Sequence, residues 1–284
     1  MTVAVSLNLS DGVILAVDSA VTVPSESGDM IVKVYENARK LFQLGHCPIG
    51  VAIYGMGAIG SRGIGSYLRE FELTAPIMSA PAPVSEVVES LRDFFYGKYR
   101  DIVIPAVTAA GTPFDQIPDE EKPVLGLVVG GFSPDAYLSE VWEIVVPFNN
   151  TPGSSTQVNA QGVFGSHWYS MYLPISRYIK GVDSELLTQL ADYFVTLRGG
   201  TVFTTAEAEE IAKILRRHEY SIPFPAMPMM EGVEYARFLV ELVTKHHRFT
   251  VGAPVVGGMV NIGMVTYRGD EFRILGSSPL QAIE

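Results

Sequence analysis

The sequence predicts an α+β fold in which antiparallel sheets carry helices on their outer faces. Strand-like segments come in hairpins near the start, in the middle and at the end of the chain, and helical segments are grouped between them. This order differs from the strand–helix alternation of parallel sheets. The 284 residues, 48% of them hydrophobic and 18% charged, suffice for one large core, so we expect a single domain over 1–284.

The first predicted element is an N-terminal hairpin. Val3, Val5, Leu7 and Leu9 alternate with smaller or polar residues, which predicts a half-buried strand. Ser10-Asp11-Gly12 has turn chemistry, and an apolar run over 13–18 predicts the returning strand.

The other elements follow from apolar periodicity and turn residues. Further strands are expected at 40–44, 49–53, 124–130, 136–146, 260–267 and 271–275. Helices are expected at 58–73, 84–95, 168–179, 184–197, 205–217 and 231–246, and a loop at 149–156.

Charge and composition narrow the range of partners. The formal net charge is −11 and the chain has no run of five or six basic residues, so nucleic acid and anionic membranes are not expected as partners. The N-terminus does not read as a signal peptide, and no apolar segment is long enough to span a bilayer. With Cys47 as the single cysteine, we expect a cytoplasmic protein.

No cofactor or metal site is expected. Residues 55–60 spell the dinucleotide pattern G-x-G-x-x-G, but the preceding strand follows antiparallel strands rather than opening a βαβ unit. His246 and His247 are adjacent on a helix and point in different directions, without further ligands nearby in the sequence.

Thr2, directly behind the initiator methionine, is the main candidate for chemistry. An N-terminal threonine combines a hydroxyl nucleophile with an α-amine of pKa about 8 that serves as its base. Because threonine is small, Met1 before it is normally removed. On its own, a threonine at this position is more often an ordinary β-branched strand residue.

The sequence segments that follow Thr2 resemble those of proteasome β subunits and their bacterial relatives HslV and Anbu. The hairpin ends in "VILAVD" at Asp18, and "ARKLFQL" contains Lys40. The similarity continues in order through "IGVAIYG", "LVVGGFSPDAYLSEV", "EGVEYARFLVELV" and "GGMVNIGMVTYRGDEFRIL". This resemblance implies the four-layer αββα sandwich of the N-terminal-nucleophile hydrolases and a threonine-type endopeptidase acting through an acyl-enzyme. It also implies peptide or unfolded-protein substrates, a ring or helical homo-oligomer and an ATP-dependent unfoldase partner.

The resemblance also assigns the site residues. Thr2 corresponds to the nucleophile, Lys40 to the cation beside it, and Asp18 to the carboxylate that orients Lys40. Gly55 corresponds to the glycine whose N–H donates to the oxyanion. Ser166, in "GVFGS", corresponds loosely to a supporting hydroxyl.

The hairpin register tests this assignment. A two-residue Asp11-Gly12 turn places Asp18 on the face opposite Thr2, whereas a three-residue Ser10-Asp11-Gly12 loop places both on one face. We therefore expect the three-residue loop.

The chain also departs from the family pattern. Where proteasome β subunits carry D-x-x-S-G-G, residues 253–258 read "APVVGG", so the aspartate and the serine are missing. About 40 residues, roughly 186–230, form a helical insertion without a counterpart in the compact members. Two alternatives stay open: a non-catalytic proteasome-like structural subunit, and an amidase of the same superfamily that acts on a small amide.

Overall fold

The structure is a computed structural model that describes residues 2–24, 31–45, 47–147, 153–252, 255–269 and 271–275. Its strands are β1 (Val3–Leu9), β2 (Gly12–Val17), β3 (Val21–Pro24), β4 (Ile31–Tyr35), β5 (Leu41–Gln43), β6 (Ile49–Gly55), β7 (Ala58–Ile59), β8 (Arg62–Gly63), β9 (Leu125–Gly131), β10 (Glu140–Val146), β11 (Ser154–Asn159), β12 (Gly165–Ser170), β13 (Asn261–Thr266) and β14 (Arg273–Leu275). Its α-helices are α1 (Ile64–Thr74), α2 (Val84–Lys98), α3 (Ile104–Ala109), α4 (Leu173–Lys180), α5 (Ser184–Leu197), α6 (Thr205–Arg216) and α7 (Met229–Phe249).

Two five-stranded sheets form the centre of the fold. The first has the order β12-β1-β2-β13-β14 and the second the order β11-β10-β9-β6-β5. Every strand pair in both sheets is antiparallel. The predicted α+β class with antiparallel sheets is therefore confirmed.

Three apolar clusters hold the sheets and helices together. One lies between the sheets and joins Ala4, Leu15 and Val17 of the first sheet to Ala52 and Val128 of the second. A second cluster joins the other face of the second sheet to α1 and α2. The third joins the other face of the first sheet to α4 and α7.

The N-terminal strand β1 differs from the half-buried strand expected for it, because both of its faces are buried. Its valines and leucines pack in the cluster with α4 and α7. Its polar side chains are buried too and are hydrogen bonded: Ser6 pairs with the Tyr169 hydroxyl, and Asn8 donates to the Val163 carbonyl. The alternation in the sequence therefore separates two buried faces of the strand rather than protein from water.

Several element boundaries also differ from the prediction. Residues 58–59 and 62–63 pair as β7 and β8, so α1 begins at Ile64 instead of residue 58. The start of the helix expected at 168–179 is strand β12, because these residues pair with β1, and α4 begins only at Leu173. Part of the loop expected at 149–156 is strand β11; residues 149–152 lie outside the described residues.

Phe272 fills the space between the two sheets. Its ring is fully buried and packs where a Cβ on Gly50 of β6 or on Gly263 of β13 would collide with it. Two glycines on facing sheets thus make a slot for one aromatic ring. Since the slot has no other occupant among the described residues, a smaller side chain at 272 would leave a cavity.

We expect Phe272→Ala to lower the free energy of unfolding by about 3–5 kcal/mol, the usual cost of emptying a buried aromatic site. The matched control is Phe249→Ala, because Phe249 is 80% exposed. That change should alter stability by no more than about 0.5 kcal/mol. Urea unfolding measures both, and equal effects of the two substitutions would contradict this description of the core.

Candidate active site

Three side chains that lie far apart in the sequence meet in one buried site. The Lys40 Nζ donates to Thr2 Oγ1 at 2.9 Å and to Asp18 Oδ1 at 2.9 Å. Thr2 is 3% exposed, Lys40 4% and Asp18 fully buried. The ammonium therefore bridges the hydroxyl and the carboxylate in a region shielded from solvent.

The site forms where the ends of both sheets meet. Thr2 immediately precedes β1 and Asp18 immediately follows β2, so the hairpin brings them to the same end of the first sheet. Lys40 immediately precedes β5, the edge strand of the second sheet. The three residues can meet only when the two sheets are packed on each other.

The hairpin register differs from the expected one. Leu9 pairs with Gly12, so the turn is the two residues Ser10 and Asp11, not the three-residue loop. A Cβ at Gly12 would collide with the Val265 carbonyl of β13, so only glycine fits this close approach. The regular strand β2 ends at Val17. Asp18 N still donates to the Val3 carbonyl at 3.2 Å, but Val3 N donates to the Asp18 carboxylate.

The Asp18 carboxylate is held toward Lys40 by hydrogen bonds from backbone N–H groups. Oδ1 accepts from Val3 N at 3.1 Å as well as from Lys40, and Oδ2 accepts from Ala20 N at 3.1 Å and Gly257 N at 3.2 Å. Four donors thus satisfy a fully buried carboxylate, which keeps the cost of its burial low. Its orientation is set by the backbone and does not depend on Lys40 alone.

Gly257 and Gly258 lie against Ser19: Ser19 N donates to the Gly257 carbonyl at 3.2 Å, and a Cβ on Gly258 would collide with Ser19 Oγ. Met259 N donates to Ser19 Oγ at 2.8 Å, and Ser19 Oγ in turn donates to the Glu36 carbonyl. Val256, at the position of the missing family serine, is buried in the apolar cluster with α7. Residue 253, at the position of the missing aspartate, lies outside the described residues.

Burial shifts the pKa of each charged partner in the direction that favours its neutral form. Desolvation lowers the pKa of Lys40, while the charge and hydrogen bond of Asp18 oppose this shift. Desolvation likewise raises the pKa of Asp18, opposed first by Lys40 and then by the backbone donors. A lysine with a lowered pKa exchanges its proton with a neighbouring hydroxyl more readily than an ordinary lysine does.

Gly55 lies beside this group at the end of β6. It has a φ of 75°, and a Cβ there would collide with the Val124 carbonyl. Thr2, Lys40, Ile53 and Gly55 line one cavity of about 130 Å³. Thr2 and Gly55 are therefore placed around a common space.

A larger cavity of about 900 Å³ adjoins the first one. The two share Arg39, Ile53 and Gly57 in their walls. A Cβ on Gly57 would meet nothing within 4 Å, so the shared wall is not crowded at this residue. A substrate reaching Thr2 has room for a side chain or for further residues.

The structure places Ser166 away from Thr2. Ser166 pairs with Leu7, five residues along β1, which corresponds to about 16 Å at the usual rise of a strand. The hydroxyl-bearing residue that β12 brings to this end is Ser170, which pairs with Val3 and has a φ of 63°. Next to it, Met171 N donates to the Thr2 carbonyl at 3.0 Å.

Tyr54 is a second residue that the sequence did not point to. It lines the cavity between Ile53 and Gly55, and its hydroxyl donates to Glu143 of β10 at 2.5 Å. Its ring stacks on Tyr169 of the first sheet with centroids 5.9 Å apart. These partners are far from Tyr54 in the chain, so no local pattern could indicate the contact.

Other classes of site find no support in the described residues. Within them, no group of three or more His, Cys, Asp or Glu side chains could hold a metal ion. The G-x-G-x-x-G segment follows β6, whose two neighbours β5 and β9 are both antiparallel to it, so the segment opens no βαβ unit. Among the helices of the described ranges, none is long and apolar enough to cross a membrane.

Comparison with known proteins supports the fold. No protein-family model and no curated protein sequence matches the chain. The structure is similar to an Anbu mutant from Hyphomicrobium sp. strain MC1, with a TM-score of 0.54 and 10% sequence identity over 98% of this chain and 88% of that one. It is also similar to Anbu from Pseudomonas aeruginosa, solved as a helical assembly, with a TM-score of 0.51 and 13% identity over 99% of this chain and 90% of that one. The predicted structural resemblance to Anbu is confirmed at the level of the fold.

The lowered pKa of Lys40 can be measured. We expect the Lys40 Cε resonance to titrate below 10.5, the ordinary value for lysine, because burial disfavours its charged form. Asp18→Asn should lower this pKa further, because the carboxylate favours the charged form. NMR titration of lysine Cε signals, assigned with Lys40→Met, measures both shifts.

The control for this titration is Asp93→Asn, which removes a surface carboxylate that pairs with Arg92. It should leave the Lys40 midpoint unchanged. A midpoint at or above 10.5 in the unsubstituted protein, or one raised by Asp18→Asn, would contradict the electrostatic description of the site.

Proposed function

We propose that the chain is a threonine-type endopeptidase, with Thr2 as the nucleophile once Met1 has been removed. The catalytic unit is a single domain over 1–284 with the four-layer αββα layout of the proteasome-like N-terminal-nucleophile hydrolases. The observation that carries the proposal is the Lys40 ammonium 2.9 Å from both Thr2 Oγ1 and Asp18 Oδ1 in a buried site.

The chemistry begins at the hydroxyl of Thr2. The free α-amine of Thr2 accepts the hydroxyl proton, and Lys40 stabilises the alkoxide that develops on Oγ1. Oγ1 attacks the carbonyl carbon of the scissile amide, and the carbonyl oxygen takes up the negative charge. Asp18 keeps the charge and orientation of Lys40 suited to this step.

The intermediate then collapses to an acyl-enzyme. The C–N bond breaks, and the proton held by the α-ammonium passes to the leaving amine. Water attacks the resulting ester, releases the acid and restores Thr2. The Gly55 N–H donates to the oxyanion both in acylation and in deacylation. Removing one such donor from an enzyme typically lowers turnover about 100-fold or more.

The size of the cavities favours peptides over small amides as substrates. The catalytic cavity of about 130 Å³ shares part of its wall with one of about 900 Å³. The larger space accommodates the side chain of a peptide residue, whereas a small amide would occupy the first cavity only. An amidase is therefore the weaker alternative.

The structural-subunit alternative rests on one observation. Val256 stands where the related peptidases carry a serine, and it is buried among apolar side chains. If that hydroxyl is essential, the site binds peptides without cleaving them.

We also propose that the chain forms a homo-oligomer and that it acts in the cytoplasm. The P. aeruginosa Anbu is described as a helical assembly, which supports a ring or helical homo-oligomer for this chain. An ATP-dependent unfoldase would supply unfolded substrate to such an assembly, and the proposed location is the cytoplasm.

Hydrolysis of fluorogenic peptide amides tests the function. We expect Thr2→Ala to abolish turnover and Asp18→Asn to lower kcat/KM by about 100-fold or more, as expected when a catalytic proton relay loses its partner. Thr2→Ser keeps a hydroxyl and should retain measurable turnover. Folded protein that lacks Met1 but cleaves no peptide would favour the structural subunit, and cleavage of small amides alone would favour the amidase.

The two serines of β12 provide a matched pair. We expect Ser170→Ala to lower kcat/KM several-fold, because Ser170 pairs with Val3, the residue after Thr2, and the following Met171 N donates to the Thr2 carbonyl. Ser166→Ala changes the same residue type on the same strand and should leave turnover unchanged. If Ser166→Ala has the larger effect, the strand register described for β1 and β12 does not hold in the active protein.

A further inference from the structure

Ser19 is a buried polar residue that the proposed chemistry does not use. It follows Asp18 directly in the chain and is 2% exposed. Its main-chain N–H, its carbonyl and its hydroxyl together make four hydrogen bonds. The partners belong to two segments that are far apart in the sequence, 36–38 and 257–259.

The first segment leads directly to Lys40. The Ser19 carbonyl accepts from Ala38 N at 2.9 Å, and the Ser19 hydroxyl donates to the Glu36 carbonyl. Residues 36–40 connect β4 to β5 and belong to neither strand. Ser19 thus anchors the chain two and four residues ahead of the residue that carries the ammonium group.

The second segment carries a donor to Asp18. Gly257 N donates to Asp18 Oδ2 at 3.2 Å, while the Gly257 carbonyl accepts from Ser19 N at 3.2 Å. Met259 N, two residues further on, donates to the Ser19 hydroxyl at 2.8 Å. Gly258 between them has a φ of 72°, and a Cβ there would collide with Ser19 Oγ. The segment therefore packs directly on Ser19.

The Ser19 hydroxyl joins the two segments. One segment holds Lys40 and the other holds Asp18, and the Nζ and Oδ1 atoms of this pair are 2.9 Å apart. Without the hydroxyl, Met259 N loses its acceptor and the Glu36 carbonyl loses a donor. Because unmade hydrogen bonds at shielded positions are costly, the two segments would rearrange. Displacing a catalytic group by about 1 Å lowers a rate by about 100-fold.

We propose that Ser19 is a positioning residue, which holds Lys40 and Asp18 at their working distance. It acts through the segments 36–38 and 257–259 and supplies no group to the reacting atoms. The inference rests on the proposed peptidase function, in which Lys40 stabilises the alkoxide.

The first test separates binding from turnover in the hydrolysis of fluorogenic peptides. We expect Ser19→Ala to lower kcat about 10- to 100-fold and to change KM less than about twofold, because the positioned groups act in the transition state. The matched control is Ser139→Ala. Ser139 is also 2% exposed, and its hydroxyl donates to Asn8, which lies six residues along β1 from Thr2, or about 20 Å. Equal losses of kcat in the two variants would overturn the proposal.

The second test asks whether Ser19 acts through Lys40. The rate at which a peptide epoxyketone forms its adduct, followed by intact mass, is compared in Ser19→Ala, Lys40→Met and the double variant. Residues that act as a unit have non-additive effects. We therefore expect the double variant to react as slowly as Lys40→Met and no slower. A double variant slowed by the product of the two single effects would overturn the proposal.

A further variant disturbs the contact while the hydroxyl stays in place. Gly258→Ala puts a methyl group where Ser19 Oγ and the Glu36 carbonyl lie, and should lower kcat about 10-fold or more. The control is Gly181→Ala, because Gly181 has a similar φ of 75° but its Cβ would meet nothing within 4 Å. Urea unfolding checks that each variant is folded. Equal losses of kcat in both would trace the effect to backbone strain and overturn the proposal.

Amide hydrogen exchange tests the positioning without any need for activity. In Ser19→Ala, the N–H groups of Gly257 and Ala38 should exchange about 10-fold faster or more, because the hydroxyl no longer joins their segments. Ser139→Ala should leave both rates unchanged. Unchanged rates in Ser19→Ala would overturn the positioning role whatever the activity. If the rates rise but the unsubstituted chain forms no epoxyketone adduct, the peptidase proposal fails, and with it the role of Ser19 in turnover.

Discussion

The rest of the structure depends on where one ammonium group, that of Lys40, is held. Lys40 Nζ is held between the hydroxyl of Thr2 and the carboxylate of Asp18, with all three groups shielded from solvent. Removing a charge from water is costly unless a partner and further hydrogen bonds compensate for it. Here the compensation comes from Asp18, whose remaining acceptor positions are filled by the backbone N–H groups of Val3, Ala20 and Gly257.

This arrangement links the site to the packing of the two sheets. Thr2 and Asp18 come from the first sheet and Lys40 from the second, so the distances within the site depend on how the sheets stack. Phe272 between Gly50 and Gly263 fixes that stacking in the core, and Tyr54 stacked on Tyr169 fixes it beside the cavity that Thr2 lines. The outer helices α1, α2, α4 and α7 cover the remaining apolar faces, while α5 and α6 have no buried residue and take no part in this core.

The sequence could predict the elements whose signals are local. Alternating apolar residues and the turn at residues 10–12 predicted the first hairpin, and Thr2, Asp18 and Lys40 were identified through resemblance. The register could not be predicted, because it depends on Gly12 packing against the Val265 carbonyl of a strand about 250 residues away. The sequence also could not show that Ser166 lies opposite Leu7 and Ser170 opposite Val3, because residues 168–170 were predicted as the start of a helix but pair with β1. Tyr54, with Glu143 and Tyr169 as distant partners, gave no local signal.

The intact mass of the purified protein, with and without a peptide epoxyketone, tests the central claim most directly. An epoxyketone reacts with both the hydroxyl and the free α-amine of an N-terminal threonine. If Thr2 is the nucleophile, we expect a chain without Met1 that gains one probe mass, no gain in Thr2→Ala, and a strongly slowed gain in Lys40→Met. A folded chain that keeps Met1 and gains no mass would contradict it, as would an adduct formed equally fast in Lys40→Met.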